Sequence, residues 1–213
     1  MRTLTIPYLP ALEMLEASSI TQVLERMTPR HYIDQVNWPA YPYMPIASFN
    51  IARSNKHLFI NFYSIANSLR ALYEADGSPV YMDSCVEFFV KRPDDETYIN
   101  FEFNCIGTCD ASIRRSREEK VDLTPPQLDT ILRYPSLPRE PFKEKSGYQG
   151  WSLLVVIPFR LLGIKQRQFP QKLLGNFYKC ADATESPHYL SWSPIQTEQP
   201  DFHRPEYFGE LLL

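Results

Sequence analysis

Residues 81–108 run YMDSCVEFFVKRPDDETYINFEFNCIGT, and the alternation within this stretch decides the fold. Val86, Phe88 and Val90 fall on one side of an extended segment, and Cys85, Glu87 and Phe89 fall on the other. After a Pro- and Asp-rich connection from Lys91 to Thr97, Ile99, Phe101, Phe103 and Cys105 alternate against Tyr98, Asn100, Glu102 and Asn104. Successive side chains of a strand leave opposite faces, so a period of two predicts a hairpin with an apolar inner face and a polar outer one.

Residues opposed on antiparallel strands share a face. If both apolar sides meet one core, Glu87 lies beside Glu102 and Phe89 beside Asn100. Directly opposed carboxylates repel, and a fold that keeps them needs a basic neighbour, a bound cation, hydrogen bonds to a polyol or a shared proton. Two readings follow: a solvated sheet face with a Lys or Arg close by, or a polar binding surface carried on a rigid sheet.

Composition narrows the classes. With 44% hydrophobic residues in 213, the chain can bury one large core or two small ones. A net charge of −3 gives no general attraction to nucleic acid or to an anionic membrane, so neither is expected as a partner. No apolar run is long enough to predict a transmembrane helix. The start, MRTLTIPYLPALEML, is broken by Pro7 and Pro10 and does not resemble a secretory signal. The expected location is cytoplasmic on this sequence, or periplasmic or secreted if a signal was removed. Cys85, Cys105, Cys109 and Cys180 are too few for a disulfide scaffold. Cys105 and Cys109 have metal-like spacing, but no second pair or His cluster completes a site. Buried free thiols and no assigned metal are expected.

Residues 1–45 contain six prolines and are expected to form an irregular N-terminal wrap of the same domain, around the sandwich edge or beginning with an edge strand, with a short helix from Ser18 or Ser19 to Met27. Residues 46–65 predict a hairpin turning at Ser54–Lys56, and 66–80 a connection with a helical turn near Leu69. Residues 110–150 are polar and rich in Pro, and are expected as a loop insertion with a short capped helix after Thr124. Arg114, Arg115 and Arg117 sit beside Glu118 and Glu119, which favours a solvated loop over a phosphate site. Trp151–Phe159, Asn176–Asp182, His188–Pro194 and Gly209–Leu213 supply further strands. No βαβ rhythm appears. The expected class is all-β: an antiparallel, jelly-roll-like β-sandwich over 46–213, with one or two short helices in loops.

The order of motifs resembles the family 9 carbohydrate-binding modules, in their single-domain form. The likeness is carried by Val80–Phe89, by Tyr98–Asn104, by Trp151 through Ile157-Pro158-Phe159, by Gly175–Cys180, by Leu190–Pro194, and by Pro200–His203 through Phe208-Gly209. It implies a β-sandwich holding a mono- or oligosaccharide between two aromatic rings, with acidic and amide groups on the hydroxyls. Tyr81 matches the first ring, where the family usually has Trp; a smaller ring implies weaker stacking or a different sugar. Glu87 matches the glutamate that contacts hydroxyls, and Trp192 matches the second ring. With Asn100 and Glu102 beside Glu87, and Lys179 as a counter-charge on a neighbouring strand, the candidate ligand set is Tyr81, Glu87, Asn100, Glu102, Lys179 and Trp192. The resemblance also allows a structural calcium, for which no compact Asp-rich loop is visible, and a glycan-degrading enzyme as partner.

Three functions compete at this level. The first is non-catalytic carbohydrate binding in glycan utilisation. The second is glycoside hydrolysis with Glu87 and Glu102 as the carboxyl pair, a role opposed by their position mid-strand on one hairpin, where they cannot easily flank a scissile bond. The third, a haem-binding sandwich, lacks an evident Met and His couple.

Overall fold

A computed structural model describes residues 1–165 and 168–213. In chain order the elements are β1 (Thr3–Thr5), α1 (Ala17–Met27), β2 (His31–Tyr32), β3 (Gln35–Val36), β4 (Ile46–Arg53), β5 (His57–Ala71), β6 (Cys85–Lys91), β7 (Tyr98–Asn104), β8 (Cys109–Arg114) and β9 (Lys120–Asp122). Then follow α2 (Pro125–Leu128), β10 (Leu132–Pro135), β11 (Phe142–Pro158), β12 (Lys172–Cys180), β13 (Tyr189–Ser191) and β14 (Gly209–Leu212). The first sheet has the order β1-β14-β12-β6-β7-β8-β9, with β13 and β3 attached beside β12. The second has the order β10-β11-β5-β4-β2. The β1–β14 pair is parallel, and the other pairings between these strands are antiparallel.

The two sheets meet through the apolar alternates read from the sequence. Val86, Phe88 and Val90 from β6, and Ile99, Phe101 and Phe103 from β7, share one buried cluster with Phe49, Ile60, Phe62, Leu153 and Val155 of the opposite sheet. Phe49 stacks on Phe177 across the interface at 3.7 Å between ring centroids. Fully burying such a ring contributes about 1.5–3 kcal/mol, so a handful of these residues fixes which faces turn inward. The all-β sandwich of the sequence analysis is therefore the observed architecture.

Several expectations about the parts do not hold. The connection expected at 66–80 is half strand: β5 continues to Ala71, because Leu69 and Ala71 still alternate inward and pair with the first residues of β11. No helical turn forms at Leu69. The loop insertion expected at 110–150 holds β8, β9, β10 and the first part of β11. It escaped notice because β9 is exposed along its length and so carries no apolar alternation. The helix after Thr124 does form, with reciprocal capping between Thr124 and Gln127. The N-terminal segment does begin with an edge strand, β1 beside β14, and joins the sheets again through β2 and β3, while α1 lays Ile20 and Leu24 on Phe59 and Leu154.

The largest departure concerns the outer face of the first sheet. Every residue of β7 is buried, including Asn100, Glu102 and Asn104. Connections cover this face with a second apolar layer, in which Trp38, Ile195 and Phe208 pack on Phe89, Tyr98 and Tyr178. The polar row does not face open solvent, and the site is a recess and not a flat platform.

Close packing at the sheet edge makes one glycine obligatory. A Cβ on Gly209 would come within 2.4 Å of Trp192 Cζ3 and 2.6 Å of the Arg2 carbonyl oxygen. Gly209→Ala is expected to destabilise the fold by about 1–3 kcal/mol, the usual cost of overpacking. Urea denaturation checks this, and an unchanged midpoint would contradict the packing described.

Candidate functional site

The floor of the site is set by strand register. Tyr178 of β12 opposes Glu87 of β6, Glu87 opposes Glu102 of β7, and Glu102 opposes Asp110 of β8. Three carboxyl groups thus lie in one row across adjacent strands, which are spaced by about 4.8 Å. Glu87 and Glu102 are 2% and 4% exposed, so neither can rely on bulk water to relieve the repulsion. Both are neutralised in part by burial. Desolvation, with Cys180 and Glu102 nearby, raises Glu87 well above the usual carboxylate range. Desolvation and the charge of Asp110 push Glu102 up to about 7. Asp110 is raised by burial as well, against the pull of Lys120.

Each member of the row has a distinct setting. Glu102 Oε1 accepts a hydrogen bond from Asn100 Nδ2 at 2.7 Å, while the buried Oε2 has no partner. Asn100 in turn accepts from Arg114 Nε at 2.9 Å, and Arg114 Nη1 donates to the Arg117 carbonyl at 2.6 Å. Glu87 Oε1 accepts from Cys180 Sγ at 3.0 Å, with Cys85 Sγ 4.0 Å from the same oxygen.

Loops raise walls on this floor and enclose a cavity of about 410 Å³, within the roughly 300–1,000 Å³ of small-molecule sites. Tyr81, half-exposed on a single 3-10 turn, lines it. Tyr81 is held near Asp182 by the hydrogen bond from the Asp182 amide to its carbonyl at 3.2 Å. Burial, together with the charge of Asp182, raises the Tyr81 hydroxyl, which therefore stays protonated as a donor. Tyr189, Phe202 and His203 add rings, and Phe202 stacks on Tyr178 at 4.2 Å. Arg114, Arg117 and Lys120 supply positive charge and Asp182 a further carboxyl, which burial pushes up to about 6. The cavity thus offers aromatic edges together with donors and acceptors at close range.

Of the expected ligand set, Tyr81, Glu87 and Glu102 line this cavity together. Asn100 is fully buried behind Glu102 and orients its carboxyl. Trp192 is not a site residue: it is 3% exposed and packs edge-on to Phe49 and Phe177 in the core between the sheets. The aromatic contribution near the C-terminus comes instead from Tyr189 and Phe202. Lys179 is not the counter-charge of the glutamates either. It pairs with Val86, so its side chain leaves β12 on the face opposite to Tyr178, where Nζ meets the Cys180 carbonyl at 2.7 Å and His188 Nε2 at 2.9 Å. Burial first, and then the charge of Lys179, lowers the His188 imidazole to about 2. The cation nearest the row in its hydrogen-bond network is Arg114. The solvated-loop reading missed it, although the alternation Asp110, Ser112, Arg114 puts it on the same face as Glu102. Asp83 is a buried hub accepting hydrogen bonds from the Leu72 and Tyr73 amides and from Arg70 and Asn104.

The model of carbohydrate-binding family 9 matches residues 19–213. The chain belongs to carbohydrate-binding family 9. Its function is accordingly carbohydrate binding without catalysis. A candidate carbohydrate-binding protein from Bacteroides uniformis ATCC 8492 is similar over 99% of this chain and 98% of its own, with 34% identity and a TM-score of 0.93. A family 9 module from Caldicellulosiruptor kristjanssonii, solved with glucose, shares 11% identity over 100% of this chain and 95% of its own, with a TM-score of 0.63. The same organism's family 9 module solved with cellotriose gives 10% identity, coverage of 100% and 93%, and a TM-score of 0.60. No curated protein matches the chain. The hydrolase alternative has no support among these relatives, and the geometry opposes it: Glu87 and Glu102 stand side by side in one floor and not across a cleft.

The group of three His, Cys, Asp or Glu side chains close enough to share an ion among the described residues is rich in sulfur. That set is Cys85, Glu87 and Cys180, whereas calcium takes 6–8 oxygen ligands.

The raised Glu102 has a consequence for stability. A carboxyl whose folded pKa lies above its unfolded value stabilises the fold below the unfolded value, and that contribution is lost as pH rises through about 7. Glu102→Gln cannot ionise. Its melting temperature is therefore expected to gain on that of the wild type between pH 5 and pH 8, a comparison in which the histidine contributions cancel. A constant difference across that range would contradict the environment assigned to Glu102.

Proposed function

We propose that the cavity over the Glu87–Glu102–Asp110 row is where this family 9 protein holds a mono- or oligosaccharide. The observation that carries the reading is the buried Oε2 of Glu102, unpartnered and belonging to a side chain that lines the cavity. An unmet buried acceptor costs about 1–3 kcal/mol, and a sugar hydroxyl can satisfy it. A pyranose presents an apolar C–H face and a fringe of hydroxyls. Tyr81, Tyr189 and Phe202 suit the face, while Glu102, Glu87, Asp182 and Arg114 suit the fringe. The related modules solved with glucose and with cellotriose make these the first probes to try. A glycan-degrading enzyme is the partner class in keeping with such a role.

A few aromatic and charge-assisted contacts, less the cost of association, give affinities of about micromolar to millimolar. Tyr81→Ala is expected to weaken saccharide binding about tenfold, from lost stacking and burial, while the melting temperature moves by no more than a few degrees. Isothermal titration calorimetry with glucose, cellotriose and a panel of other saccharides reads this directly. Calorimetry is the right probe because Trp38, Trp151 and Trp192 are all buried and none lines the cavity. A saccharide bound equally by wild type and variant would remove Tyr81 from the site.

A further inference from the structure

One corner of the floor has chemistry that hydroxyl recognition does not use. Cys85 and Cys180 are direct cross-strand partners, and Glu87 lies two residues along β6 on the same face as Cys85. Register alone therefore gathers two thiols and a carboxyl, and their potential ligand atoms lie within 4.8 Å of one another. In a tetrahedral zinc site with Zn–S near 2.3 Å and Zn–O near 2.1 Å, neighbouring ligand atoms sit about 3.5–3.8 Å apart. The observed separations of 3.0 Å and 4.0 Å from Glu87 Oε1 to the two sulfurs bracket that range.

The partners of these groups are otherwise weak. Glu87 is buried, and the hydrogen bonds it receives come from the two thiols. The cations of the cavity wall, Arg114, Arg117 and Lys120, form no ion pair with it. Cys180 Sγ otherwise meets the Tyr81 carbonyl at 3.6 Å. All three groups stand on the paired central strands β6 and β12, so little rearrangement separates them from a ligand set. Glu87 and Cys180 also line the cavity, which gives an ion a route in and leaves a coordination position facing the recess.

We propose that Cys85, Cys180 and Glu87 form a binding site for a thiophilic divalent cation, zinc foremost, in the floor of the cavity. Two sulfurs and one oxygen suit zinc and exclude calcium or magnesium by ligand softness. Binding releases the two thiol protons, and the Glu87 proton where it is present, leaving two thiolates and a carboxylate on the ion. The fourth position takes water or a hydroxyl of a molecule in the recess. The site does not depend on the saccharide reading, although it shares the same floor.

The test is a titration of the full chain, kept reduced and freed of metal by chelation, with Co²⁺ as a visible stand-in for Zn²⁺. One equivalent is expected to give a sulfur-to-cobalt charge-transfer band and strong tetrahedral visible bands, both abolished when Zn²⁺ is added. Cys85→Ser/Cys180→Ser should lose these bands, Glu87→Gln should weaken binding severalfold, and Cys109→Ala should keep them. Absence of the bands in the wild type, or full bands in the double variant, would overturn the proposal. Should the double variant fail to fold, the wild type decides: one equivalent of Zn²⁺ should raise its melting temperature while Ca²⁺ leaves it unmoved, and no shift with Zn²⁺ would count against the site. Calorimetry with glucose and cellotriose on the same samples separates the two readings, since each can fail while the other stands.

Discussion

The pairing of β6 with β7 constrains everything else in this molecule. Once Phe88 faces Phe101 in the core, the pleat places Glu87 against Glu102 on the other side. A shift of either strand by one residue would exchange that strand's faces and bury its glutamate between the sheets. The many phenylalanines of the interface thus hold in place an arrangement of acids that would separate if left to itself. The repulsion is relieved by withdrawing the acids from water, so that they tend to keep their protons, and by Arg114 acting through Asn100.

That solution requires the outer face to be covered. Trp38 from near the N-terminus and Ile195, Phe202 and Phe208 from near the C-terminus converge on Phe89, Tyr98 and Tyr178. Where the cover stops, the cavity begins, and its floor keeps the low polarity of its surroundings. Hydrogen bonds made there are worth more than on an open sheet, and unmet ones cost more. The same burial raises the thiols, with Cys85 pushed up to about 12, so that they remain unreactive unless a cation engages them.

The parts of the fold legible in sequence were those with a period of two. The register of Glu87 with Glu102 and of Phe89 with Asn100 could be derived because one face was plainly apolar. Buried free thiols were equally legible, and all four cysteines are buried and unpaired. The exposed polar strand was not: β9 pairs through its backbone with β8 and carries no side-chain signature. Trp192 misled because a tryptophan flanked by serines looks the same in sequence whether it faces a cavity or a core. Lys179 misled because proximity in sequence to Tyr178 does not give proximity in space when adjacent residues leave opposite faces. Phe202 and Asp182 belong to irregular connections, whose placement depends on tertiary packing that no local pattern encodes.

The division between sheet and loop in this cavity has an evolutionary meaning. Its base is part of the load-sharing framework, whereas its margin is made by the turns around Tyr81, Arg117 and Phe202. Connections tolerate replacement far more readily than paired strands. A lineage could therefore exchange one guest for another by rewriting a few rim positions, with the acid ladder beneath inherited unaltered.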